Sequence, residues 1–327
     1  MKVECLDRWD AFDEARWNGL LARSASPVVF ETWQWQTNWW NIFGRGRHLR
    51  LLQVTDARGQ LVGVLPLYAE PGPTLRLVGG VDVSDYLDLL ALQGREEEVW
   101  TALLQHRAAE HDVWDLHCLR AASPSVAVVQ SLAPIHGLSV RVEREERCPA
   151  LALPPSWEVY LGRLSGKDRH ELRRKMRRLG RELPDAVVRS STGPAGLDAA
   201  MGEFLTIHRK SKLGKARFMD PPMEEFFRAV AADLAPLGWL RLWFLEAEGA
   251  PLAACLCLEY GGSVGLYNSG FDPDRGALSP GIVLLAHVLK DAIERGLTRF
   301  DFLRGEEPYK HAFGAAPEDL FHVVIAR

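Results

Sequence analysis

The sequence predicts a mixed α/β protein of two tandem domains, residues 1–150 and 151–327, each a mixed and largely antiparallel sheet flanked by helices. Three observations lead there. Strand-like and helix-like segments alternate through both halves of the chain. Pro149, Pro154 and Pro155 interrupt that alternation in CPALALPPSWEVY and set the boundary. The 327 residues are enough for two domains that each close a core.

In the first half, LRLLQV and QLVGVLPLY flank the turn DARG, and TLRLVGG and DYLDLL follow as strand-like runs. A helix is expected near Glu96 to Glu110, then the strand VWDLHCL. Trp33, Trp35, Trp39 and Trp40 read as core filling, with stacking on a sugar ring or base as the alternative.

The second half opens on a basic helix, LSGKDRHELRRKMRRLGREL, entered through Ser165 and Asp168 at capping-box spacing. Its apolar stripe is Leu172, Met176, Leu179 and Leu183. Arginines including Arg173 and Arg177 cover the rest, which suits either a solvated face or a phosphate-bearing ligand. There follow a strand DAVVRS, a helix LDAAMGEFLTIHRKS and a helix after Pro222. The strands WLRLWFLEAE, PLAACLCLEY and SVGLYNSGF are joined by GA and GG, which predict hairpins. A loop DRGALSPG then leads into an apolar helix stopped at Gly296, and RFDFL and LFHVVIA close the sheet.

Composition excludes several classes. Apolar and charged fractions of 47% and 25% are those of a globular protein in water. A net charge of -4 excludes a surface built wholly for nucleic acid. MKVECLDRWDAFDEARW lacks the apolar core of a signal peptide, and no run approaches the roughly 20 apolar residues of a membrane span. A cytoplasmic protein without a membrane span is expected. The five cysteines are odd in number and form no CxxC pair, so neither a disulfide framework nor a metal centre is expected. Cys255 and Cys257 share one strand face and read as core thiols.

The candidate site lies between Gly270 and Gly314. Ser279 stands at an N-cap, Pro280 at the first helical position, and Gly281 brings no side chain. First-turn amides at the positive end of a helix dipole suit a pyrophosphate, which Arg275 would also pair with. An ordinary helix entry is the other reading. RFDFLRGEEPYKH then brings Asp301, Arg304, Glu306, Glu307, Tyr309 and Lys310 to a strand end. Asp301 is either catalytic or a structural partner of Arg299, and Tyr309 either protonates a leaving group or packs. His208 is either a base for an acceptor amine or a packed histidine.

LSPG, FDFLRGEEPYK and the basic helix resemble the CelD-like acetyltransferases, a GNAT-like group linked by label to cellulose biosynthesis. ETWQWQTNWWNIFG and GQLVGVLPLY are similar to the opening of that family. GNAT-like enzymes seat the acyl-CoA pyrophosphate on an R/Q-x-x-G-x-G/A loop. Arg275 to Gly281 supplies an arginine and glycines at a different spacing. YKHAFG resembles the aromatic-Lys-x-x-Phe-Gly run of the Fem-type peptidoglycan aminoacyltransferases.

The resemblance implies two tandem GNAT-like domains, the first a degenerate copy shaping the acceptor cleft and the second binding acetyl-CoA or another acyl-CoA. It implies transfer to an amine on a small molecule, saccharide or peptide, with no metal. Tyr267 and Asn268 would face the substrate, with Arg304 and Glu306 beside them, and Lys310 would stabilise the oxyanion. Its alternatives are an aminoacyl-tRNA donor with a cell-wall precursor as acceptor, and a GNAT-like protein that binds without catalysis.

Overall fold

The computed structural model describes residues 1–108 and 113–327. The helix expected to Glu110 is seen as Glu96–Ala108, and its last two expected positions lie outside the described residues. Two compact units form, one from Met1–Arg147 with Glu318–Arg327 and the other from Cys148–Pro317. No helix among the described residues is long and apolar enough to cross a membrane.

The strands, in chain order, begin with β1 (Lys2–Leu6), β2 (His48–Thr55), β3 (Leu61–Ala69), β4 (Thr74–Leu77), β5 (Leu90–Ala91) and β6 (Val113–Arg120). They continue with β7 (Ser139–Ala152), β8 (Val187–Ser191), β9 (Leu240–Ala247), β10 (Ala250–Tyr260), β11 (Ser263–Phe271), β12 (Arg299–Asp301) and β13 (Ala316–Ala326). The first unit runs β1-β2-β3-β4-β6-β13, with β5 beside β3, and the second runs β8-β9-β10-β11-β12-β7. Among the described residues each shows one parallel pair, β4 with β6 and β11 with β12. The same strand plan is therefore used twice.

Burial along the strands follows position in the sheet. The central β3 and β10 are buried almost end to end, as strands covered on both faces must be. The edge strands β1 and β8 contain no buried residue. β10 and helix Pro280–Glu294 supply much of the second core, and β3, β6 and helix Glu96–Ala108 much of the first. Trp35 and Trp39 are buried in the first unit, Trp35 donating its indole N–H to Ser84. Trp33 packs edge-on to Trp9.

Both hairpins form. Glu248 and Gly249 take φ of 55 and 75° between β9 and β10, and Gly261 and Gly262 take 57 and 78° between β10 and β11. Two consecutive left-handed residues match the twist of the flanking strands. The GA turn is thus centred one residue earlier, on Glu248, whose N–H is held by Asp185.

Two segments depart from the expected pattern. DYLDLL contributes only Leu90 to a strand, because Asp88 bonds the next N–H and takes the Ser123 hydroxyl instead of leaving its backbone to a ladder. LFHVVIA pairs with β6, Leu320 opposite Arg120 and Ile325 opposite Trp114, and so completes the first unit's sheet. Its alternation buries Val323 and Ile325 in the first core.

Candidate functional site

The second unit holds a cavity of about 540 Å³. Its origin is visible in the pairing. β11 pairs with β12 only from Ser263 to Gly265, and β12 stops at Asp301 while β11 runs on to Phe271. Asn268 pairs with Leu256 and Leu266 with Cys257, which leaves Tyr267 as an extra residue in a bulge. The strands part where the sheet stays open, and Leu266, Ser269, Gly270 and Phe271 line the gap. Ser279, Pro280 and Gly281 and then Glu307, Pro308 and Tyr309 complete the lining.

Pro280 does open a helix, Pro280–Glu294, but Ser279 enters it in a left-handed conformation (φ 53°, ψ 46°) and its side chain caps nothing. A short 3-10 helix, Pro273–Leu278, comes immediately before, and the reversal at Ser279 joins the two. Ile282 and Val283 both donate to the Ser279 carbonyl. The Gly281 N–H takes no acceptor among the described residues, and it stands on the cavity wall. A Cβ on Gly281 would sit 3.6 Å from Phe271, an ordinary contact, so the bare glycine widens the mouth without being forced by packing.

Tyr309 also lines the cavity, and its hydroxyl takes no partner among the described residues. Burial, then Glu307, then Cys255 push its phenol well above the ordinary value, so it remains a proton donor. Burial raises Glu307, but the hydrogen bond from Lys310, a backbone hydrogen bond and the charges of Lys310 and Lys212 together outweigh it, and the carboxylate stays ionised. Cys255 and Cys257 are both buried, and burial pushes Cys255 up to about 12. An inert thiol therefore lines the cavity beside Tyr309.

Lys310 does not reach out as an oxyanion donor. Only 2% exposed, its ammonium donates to the carbonyls of Leu303, Arg304 and Gly305 at 3.1, 2.6 and 3.0 Å and pairs with Glu307 at 3.0 Å. Its three N–H directions are spent on holding a loop in which Leu303 and Gly305 have φ of 56 and 105°. Asp301 is similarly occupied, accepting the Leu303 N–H at 2.8 Å and Arg299 at 3.2 Å.

The remaining expected residues lie off the cavity wall. Arg275 pairs with Glu248 at 2.5 Å across the β9–β10 turn. Arg304 and Glu306 belong to the loop that Lys310 ties down, and neither side chain lines the cavity. Tyr267 stacks on Phe227 at 5.3 Å, and Asn268 bonds His208 Nε2 at 2.9 Å. His208 is fully buried, and burial lowers it to about 4, so it is a neutral packed histidine with Nδ1 unpartnered. Ser165 caps the basic helix, Gly166–Glu182, as its spacing required. Arg173 pairs with Glu158, and Arg177 is exposed. The arginine that touches the cavity loop is Arg178, which donates to the Ala277 carbonyl at 3.1 Å.

Two cavity cations come from elsewhere. Lys212 and Lys215 line it from the end of helix Leu197–Ser211 and the short helix Leu213–Phe218. Lys215 donates to the Ser269 carbonyl, and burial lowers its ammonium. The basic run KSKLGKAR was their only signal in the sequence.

Residues 166–311 match the family model described as an acetyltransferase (GNAT) domain. No curated protein matches the sequence. Among solved structures, FemX aligns over 98% of this chain and 97% of its own at 12% identity, with a TM-score of 0.66. A conserved protein of unknown function from Bacteroides thetaiotaomicron VPI-5482 aligns over 100% of both chains at 12% identity and a TM-score of 0.64. A tandem GNAT protein from the clavulanic acid biosynthesis pathway aligns over 99% of this chain and 98% of its own at 14% identity and a TM-score of 0.50. At such identities the likeness is one of fold.

Proposed function

We propose that this chain, whose residues 166–311 match the acetyltransferase (GNAT) domain model, is a CelD-like N-acyltransferase taking its acyl group from acyl-CoA in the second unit's cavity. The observation that carries the reading is a shared lining: the unpartnered Gly281 N–H at a helix start stands on the same cavity as Tyr309, whose hydroxyl is also unpartnered among the described residues. Anion binding and proton donation are the two things a CoA thioester asks of such a site. The repeated strand plan supports a tandem pair of GNAT-like units, the first lacking the SPG loop.

In this reading the donor pyrophosphate rests on the start of helix Pro280–Glu294, with Lys212 supplying countercharge. The acceptor amine attacks the thioester carbonyl, a C–N bond forms and the C–S bond breaks. Glu307, ionised and on the wall, takes the amine proton, and Tyr309 gives its proton to the departing sulfur. Lys310 and Asp301 act at one remove, fixing the loop that carries Glu307 and Tyr309. The acceptor is an amine on a small molecule, saccharide or peptide.

Calorimetric titration of the full chain with acetyl-CoA, longer acyl-CoAs and charged tRNA tests this. Saturable binding of acyl-CoA, lost on Gly281→Asp, is the expected result. Binding of charged tRNA alone would transfer the reading to an aminoacyl donor.

A further inference from the structure

A cluster in the first unit has no place in that chemistry. Asp115 and His117 stand on β6, and His322 stands on β13. The ladder pairs Asp115 with Val324 and Leu116 with Val323, then resumes at Leu119 with Phe321. His117 and Cys118 together therefore oppose His322, and Cys118 takes a left-handed φ of 65°. Such bulges re-aim side chains, and a non-glycine residue in that conformation is a strained position.

The result is a tight convergence. The two imidazoles stack with centroids 3.9 Å apart and planes 8° from parallel. Their Nε2 atoms approach one oxygen, Asp115 Oδ1, at 2.5 Å for His322 and 3.4 Å for His117. All three ligand-type atoms lie within 4.8 Å of one another. Each side chain is partly open to solvent, at 15, 26 and 18% for Asp115, His117 and His322.

The far sides of these groups are held as well. His117 Nδ1 lies 2.8 Å from Glu145 Oε1, and the Cys118 N–H fixes the other Glu145 oxygen at 3.0 Å. A proton on Nδ1 toward that carboxylate leaves the Nε2 lone pair facing the common centre. Arg76 Nε holds Asp115 Oδ2 at 3.0 Å, and Glu70 binds both Arg76 and Arg47. With neutral imidazoles, three carboxylates face two guanidiniums, so the network carries one uncompensated negative charge.

We propose that Asp115 Oδ1, His117 Nε2 and His322 Nε2 bind a divalent transition-metal ion, with Glu145 as the outer carboxylate that orients His117. Two imidazoles and a carboxylate are the donor set of zinc, with a fourth position left to solvent. The ion joins side chains 207 positions apart in sequence and so fastens β13 to β6.

The test uses the full chain without an affinity tag, stripped by a chelator and titrated with Co(II), then with Zn(II). The expected result is one equivalent of cobalt with visible ligand-field absorption, displaced by zinc, together with a higher unfolding temperature in zinc. His117→Gln and His322→Gln each lower affinity at least roughly tenfold, and Glu145→Gln lowers it by about 10 to 100-fold while leaving all three ligands. Cys5→Ser, which removes the exposed thiol, leaves the titration unchanged. Uptake that is sub-stoichiometric, or equal in wild type and both histidine variants, overturns the proposal. Where a histidine variant does not fold, unchanged affinity in Glu145→Gln overturns it.

Discussion

Gly270 on β11 leaves no room for a side chain, because a Cβ there would stand 2.7 Å from the Cα of His208 on helix Leu197–Ser211. The obstruction is backbone, which cannot rotate away. Strand and helix touch at this point, and the same strand segment lines the cavity. Gly270→Ala is expected to lower stability by about 1–3 kcal/mol, the usual range for overpacking. Urea denaturation followed by tryptophan fluorescence measures it, and an unchanged midpoint would contradict the contact.

Lys310→Met should act on stability first. It removes the donor for three carbonyls and the partner of Glu307, at a cost of about 1–3 kcal/mol for buried groups left unmade. Activity then falls because the loop bearing Tyr309 loosens. A variant of wild-type stability whose kcat alone drops would return Lys310 to the oxyanion.

Tyr309→Phe is the converse case. The hydroxyl has no partner to lose, so stability should hold within about 0.5 kcal/mol, whereas kcat should fall by roughly 10²-fold if the phenol is the acid. Because its pKa is raised above the ordinary 10.0, any alkaline fall in kcat due to this proton lies above that value. Steady-state rates across alkaline pH, paired with thermal melts, check both parts.

Gly281→Asp should fold normally, since the nearest atoms belong to the Phe271 side chain at ordinary distance. It should weaken acyl-CoA binding by roughly tenfold or more, as a carboxylate repels a phosphate at a helix start. Equal donor affinity in the two proteins would remove the helix start from the donor site.

His208 makes stability depend on pH. Its folded value of about 4 lies below the unfolded value of 6.5, so the unfolded chain binds more protons between the two. The stability is fully present above about pH 6.5 and is lost as pH falls toward 4, up to roughly 3 kcal/mol. In His208→Asn that part of the slope should vanish when unfolding free energy is measured from pH 7 to pH 4.5.

What the sequence made legible was local. Gly249-Ala250, one residue late, and Gly261-Gly262 announce their turns, and Pro280 with its apolar stripe announces a helix, because each signal sits within a few residues of its effect. Ser279 misled for the same reason: a good capping residue says nothing of a 3-10 helix before it that forces the left-handed entry. The fates of Asp301 and Lys310 depend on where the loop between them points, respectively, the Leu303 N–H and its carbonyls, which no residue pattern encodes. Lys212 and Lys215 reach the cavity from another helix, and LFHVVIA alternates correctly for a strand while naming no partner.

The return of Glu318–Arg327 to the first unit sets an order of events during synthesis. Residues 1–147 leave the ribosome well before Glu318–Arg327, so the strand that covers β6 is made long after β6 itself. Until then β6 presents an unpaired edge, an invitation to pair with another chain. The second unit has its strands, β7 end included, once residue 317 is out, so the part translated later is the part able to finish folding earlier. Cutting the chain before Glu318 would therefore injure the first unit and spare the cavity.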